Sequence, residues 1–354
     1  DARDGRTMCR YGGHSAGRDT AVKGAAIGKR AIVGMLAIMT VASMPGLALA
    51  EEDELVPRKR VELSLKSWMF SNGETKWGHD ASGLDSRLGN PTSRLTYKDN
   101  NTQIMELGAK INLSRRWFVR GEVGFSVDFD RGKMTDDDYL STGGQHLYSR
   151  TNSDTTGHGT WYLNLDSGQR LVEFSGNRGY LDVFGGLQYW RTKYEARSVR
   201  QEVCNPSGVF TCSAAGTVSS PGALAIVNTT HWITPFRVGA QTEYRLTRWM
   251  SLEGKLAASP ISLVYNEDRH ELRTDLQRPS FTMWGLGMSA NADAGVKFML
   301  ARNVALTLGY RIWWNRTFTG TWENHPVGST SDTAPLREFQ TIRHGATVGL
   351  TAAF

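Results

Sequence analysis

The chain has 354 residues, 40% hydrophobic, 10% aromatic and 21% charged, with 38 glycines, three cysteines and a formal charge of +6. That is ample material for a core, and it excludes a collagen-like repeat, a disulfide-dense small scaffold and a charged disordered chain. A helical membrane bundle is disfavoured, because only residues 31–50 are long and apolar enough to span a bilayer.

Lys23, Lys29 and Arg30 precede that apolar run, which ends on Ala48-Leu49-Ala50. A basic segment, an apolar run and a small-x-small end read as a secretory signal peptide cleaved after Ala50, with a membrane anchor as the alternative. The expected organisation is an N-terminal extension and signal peptide over 1–50, then a single barrel domain over 51–354. Losing the leader's seven Lys/Arg and three Asp/Glu lowers the formal charge from +6 to +2. The basic excess is therefore mostly leader, and no nucleic-acid partner is called for. Cys9 leaves with it, while Cys204 and Cys212 share one polar, Gly/Ser/Pro-rich stretch. In an exported chain a local disulfide is their natural pairing.

From 51 onward the sequence alternates with period two and shows no sustained helical period. Phe118–Phe129, Tyr180–Trp190 and Val304–Trp313 are examples. Ten strands are predicted, at about 60–70, 93–113, 117–133, 159–173, 179–196, 229–245, 249–266, 280–299, 303–319 and 339–354. Their connections alternate short (near 114–116, 175–178, 246–248 and 301–303) and long (71–92, 134–158, 197–228, 267–279 and 320–338). The expected fold class is all-β: a ten-stranded antiparallel transmembrane barrel with short periplasmic turns and long extracellular loops. Trp68, Trp117, Trp161, Trp190, Trp232, Trp249, Trp313 and Trp314 fall mostly near strand ends and are expected in interfacial girdles.

Two titratable clusters lie on the long-loop side. One holds Asp136 and Asp138 within Met134–Tyr139; the other holds Asp268 and His270 within Tyr265–His270. Residues i and i+2 of an extended strand share a face, so each pair can point into the barrel mouth. Asp268 could orient His270 as general base toward a water. Two adjacent carboxyls resist double ionisation, leaving one to hold a proton for the substrate oxygen. Such Asp-rich segments are also ordinary solvated surface or Ca²⁺-binding loops.

These residues carry a resemblance to the omptin family, the ten-stranded outer-membrane aspartyl-type proteases of Gram-negative bacteria. Ser71–Lys76 and Leu95–Ile111 resemble its first hairpin, Met134–Tyr139 its first catalytic segment and Gly179–Ala196 its fifth strand. Asp268–His270 resembles its Asp-x-His segment, and the last strands follow its spacing to Phe354. The resemblance implies an endopeptidase at the cell surface, acting on peptides or proteins with Asp136 and Asp138 opposite the Asp268–His270 dyad. It implies neither metal nor covalent intermediate, and it implies lipopolysaccharide as an activating lipid. Of the lipid site only Arg191 matches; Leu187 and Tyr189 replace polar groups. The two acidic positions that hold a basic substrate side chain align with Trp77 and Asn266, which argues against dibasic preference. Glu267 lies beside Asn266 but faces the other side of a strand. The competing reading is a non-catalytic surface barrel, an adhesin or binding scaffold, with the 197–228 loop as its contact. A small-solute pore is a weaker third.

Overall fold

The computed structural model describes residues 59–354 except 130, 142–145, 158, 175, 177 and 208–209. The expected leader lies outside the described residues. Twelve strands follow one another: β1 (Val61–His79), β2 (Leu88–Asn112), β3 (Trp117–Phe129), β4 (Gly132–Leu140), β5 (His146–Thr156) and β6 (Trp161–Phe174). Then come β7 (Gly179–Cys204), β8 (Val218–Arg245), β9 (Met250–His270), β10 (Leu276–Ala301), β11 (Val304–Pro326) and β12 (Thr333–Ala353). All pairings are antiparallel, and β1 is bonded to both β2 and β12, so the sheet closes on itself.

Twelve strands rather than ten is a correction with a local cause. The lower half of β2 pairs with β3 and its upper half with β4. Likewise β7 pairs with β6 below and β5 above. Each of these two pairs occupies one position in the ring, so ten positions are filled by twelve strands. The second break contains Gly157 (φ 136°) and Gly159 (φ 128°), backbone that a β-ladder cannot continue through.

A second correction concerns the long loops, which are largely strand. β1 runs to His79, β7 to Cys204, β11 to Pro326, and the stretch 134–158 holds most of β4 and all of β5. Above a bilayer both faces of a strand meet polar surroundings, so the apolar alternation that marks the lower strands disappears there.

The outer surface of the lower barrel carries an exposed apolar belt that includes Leu65, Leu107, Phe125, Leu165, Leu256 and Leu308. This is the surface a hydrocarbon layer requires. Aromatic rings bound it. At the upper level Trp161, Tyr189, His231, Tyr265 and Trp284 touch in sequence around the outside, at 4.6, 6.0, 5.9 and 4.2 Å between ring centroids. At the lower end Trp249 stacks on Phe298.

Four tryptophans expected in the girdle are instead inside. Trp68, Trp190, Trp232 and Trp313 have inward parity and are buried; nearness to a strand end could not reveal which face they take. Trp313 is the hub, 5.3 Å from Trp68, 4.5 Å from Tyr162 and 5.6 Å from Trp190. Arg343 joins this layer and donates to the carbonyl and hydroxyl oxygens of Ser71 at 3.0 and 2.9 Å. Below it lies an ionic lattice. Asp166 accepts from Arg120 (2.6 Å) and Arg237 (2.7 Å), Glu106 from Arg311 (2.7 Å), and Glu122 from Lys255 (3.1 Å). A cavity of about 150 Å³ remains among Lys66, Arg120, Glu122, Lys255 and Arg311. The filled lumen argues against the pore reading.

Candidate active site

Strand alternation sets the site. On β4, Asp136 and Asp138 face the lumen, while Asp137 faces out and accepts two hydrogen bonds from Arg150 (2.5 and 2.8 Å). On β9, Asn266, Asp268 and His270 face the lumen. Glu267 faces out, as expected, and accepts from Tyr265 (2.9 Å) and Arg269 (3.0 Å). Both segments lie beyond the upper ring girdle, outside the apolar belt.

Asp268 Oδ2 is 3.6 Å from His270 Nε2. Asp268 is fully buried, and neither of its carboxylate oxygens has a hydrogen-bond partner among the described residues. The backbone of His270 is tied down by donation from its N–H to Ser280 Oγ (2.9 Å). Across the lumen, Ser93 Oγ donates to Asp136 Oδ1 at 3.1 Å.

The two pairs feel each other. Burial first, then the Asp138 and Asp268 charges, holds the Asp136 carboxyl well above the usual carboxylate range against the opposing Ser93 hydrogen bond. Burial pushes Asp138 up to about 6, with Ser93 and the facing His270 pulling the other way. The carboxyl pair therefore carries a proton under mildly acidic conditions.

A stability prediction follows. Both carboxyls bind protons more tightly in the fold than in the unfolded chain, so their contribution is present at low pH and lost as pH rises, for Asp138 through about 6. The thermal midpoint is expected to rise as pH falls from about 7 to about 5. Asp138→Asn is expected to raise the midpoint at neutral pH and flatten that slope; an unchanged slope in scanning calorimetry would assign the titration to other groups.

Apart from Trp77, the residues of the wall joining the two pairs are not among the candidates read from the sequence. From the dyad, rings run His270–Phe281 (5.0 Å), Phe281–Trp322 (5.1 Å), Trp322–His79 (4.1 Å, stacked) and His79–Trp77 (6.1 Å). Trp77, Leu95 and Asp136 then form one cross-strand row, and His79, Ser93 and Asp138 the next. Burial pushes His79 down to about 3 despite the neighbouring Asp80, so this wall is uncharged at neutral pH. The i, i+2 spacing from Trp77 was the available signal for His79; Phe281 and Trp322 had none.

The expected pocket residues, Trp77 and Asn266, are both buried and face the lumen. Trp77 belongs to this wall, whereas the amide of Asn266 is engaged by Asn228, Thr230 and the Thr229 carbonyl on β8. Arg191 faces outward at the upper girdle, its Nη1 donating to Gly159 O at 2.9 Å. Cys204 and Cys212 are joined as a disulfide in the β7–β8 connection, Cα atoms 5.7 Å apart.

The family model described as Pom, Protochlamydia outer membrane protein, matches residues 70–342. The chain belongs to the Protochlamydia outer membrane protein family. The omptin resemblance of its motifs is met at the level of fold. The chain is similar to the outer membrane protease OmpT from Escherichia coli, with a TM-score of 0.70 at 17% identity. That match covers 83% of this chain and 97% of OmpT. The translocator domain of the autotransporter NalP from Neisseria meningitidis matches far more loosely, with a TM-score of 0.32 at 10% identity, covering 84% of this chain and 90% of that one. No curated protein matches the chain by sequence.

Proposed function

We propose that this barrel is an outer-membrane endopeptidase that hydrolyses peptides or proteins at the cell surface, with its mouth on the extracellular side. The observation that carries this reading is the convergence of two acid–base pairs, Asp136 with Asp138 and Asp268 with His270, on one end of one lumen. His270, oriented by Asp268, takes a proton from water as the water oxygen attacks the peptide carbonyl carbon. The protonated member of the Asp136–Asp138 pair gives its proton to the carbonyl oxygen. Collapse of the tetrahedral adduct returns a proton to that pair, and His270 passes its own to the leaving amine. Lipopolysaccharide is the proposed activating lipid, with Arg191 at the membrane boundary as its one matched contact.

The uncharged Trp77–His79–Trp322–Phe281 wall supports a preference other than dibasic, because it offers no ion pair to Arg or Lys. Refolded 51–354 with lipopolysaccharide is expected to cleave a randomised peptide library without Arg–Arg enrichment. Strong Arg–Arg enrichment would sink the specificity reading. No cleavage by a folded, lipid-loaded barrel would sink the hydrolase reading in favour of a binding barrel.

A further inference from the structure

Immediately beneath the two pairs the lumen is crossed by Tyr97 from β2 and Tyr194 from β7. Their rings stack 5.2 Å apart and 15° from parallel, both fully buried. Ladder register locates them. Tyr97 lies two residues below Leu95, the cross-strand partner of Asp136, and Tyr194 shares a row with Asn228 and Asp268. The stack thus spans from the carboxyl-pair wall to the dyad wall. The Tyr194 hydroxyl meets Thr75 Oγ1 at 3.4 Å. The Tyr97 hydroxyl has no hydrogen-bond partner among the described residues.

This leaves complementary orphans within electrostatic reach of each other in one lumen. Asp268 has two carboxylate oxygens without a donor, and Tyr97 has a phenol without an acceptor. Buried polar groups in native proteins are paired directly or through an enclosed water. Burial, then the charges of Asp268 and Asp136, keeps the Tyr97 proton on at any accessible pH, so the phenol is a donor. We infer that Tyr97 is a positioning residue for the dyad: its hydroxyl donates to Asp268 through one enclosed water and holds that carboxylate turned toward His270. This deepens the proposed hydrolase and rests on it for its catalytic consequence.

The charged and titratable groups around the dyad are Asp136 and Asp138 on β4, Tyr97 on β2, Tyr194 on β7, and Arg273 and Asp275 just past β9. The test variant is Tyr97→Phe in the full chain, refolded with lipopolysaccharide, since it keeps ring and stack and deletes only the hydroxyl. The first readout needs no turnover: the ¹⁵N-histidine titration of His270, assigned with His270→Gln. Without that hydroxyl the Asp268 carboxylate is free to turn away from the imidazolium, so the His270 midpoint is expected to fall by about half a unit or more. The second is cleavage of a library-derived peptide, where kcat is expected to fall about tenfold or more with KM unchanged, because Tyr97 acts through another residue. A variant with the wild-type unfolding midpoint whose His270 titration does not move overturns the inference, whatever its rate. A moved titration in a barrel that cleaves nothing would uphold the positioning role and overturn the hydrolase reading.

Discussion

Peptide hydrolysis is expected to fall by about 10²–10⁴-fold in His270→Ala, the range in which a positioned general base contributes. The geometry behind this is specific. His270 has its backbone fixed by Ser280, its ring braced edge-on by Phe281 and its Nε2 turned to Asp268. Asp268→Ala is expected to lose nearly as much, since a free imidazole loses orientation and the partner of its imidazolium. The double variant is expected to lose little more than His270→Ala, because groups that act as a unit are not additive. Initial rates on one library-derived peptide check all three, with unfolding midpoints reported alongside. A folded His270→Ala barrel that cleaves at the wild-type rate would remove the dyad from the mechanism.

The largest stability loss is expected well away from the site, at Asp166. This buried carboxylate on β6 accepts hydrogen bonds from two buried guanidinium groups, Arg120 and Arg237, with Lys255 3.8 Å away. Asp166→Ala leaves those cations facing one another with their counter-charge gone, a change that costs about 3–5 kcal/mol when a buried pair is broken from one side. Asp166→Asn keeps the oxygen acceptor and is expected to lose less. Urea titration of the barrel in lipid vesicles reads both; equal midpoints for Asp166→Ala and wild type would mean that water already screens this lattice.

Much of the fold was legible because a membrane barrel repeats one simple rule. Alternation in Phe118–Phe129 or Val304–Trp313 follows from lipid on one side and lumen on the other. The same rule placed Asp136, Asp138, Asp268 and His270 on inward faces, since i and i+2 share a side. Above the girdle the rule lapses, and β4, β5 and the tops of β1, β7 and β11 read as loop. Trp68, Trp190, Trp232 and Trp313 read as girdle residues in the sequence because aromatic content at strand ends does not encode parity. Tyr97 was invisible for another reason: its interest lies in what its hydroxyl fails to touch, which only coordinates can express.

The aromatic layer around Trp313 divides the lumen into an upper cleft and a lower ionic compartment. A barrel packed with rings at that height keeps its upper cleft apart from the charged groups below, so a change at the mouth need not disturb the lattice that holds the lower barrel. Closure at that height would send whatever enters the mouth back through the same opening, so the proposed hydrolase would return its fragments to the side they came from rather than deliver them inward.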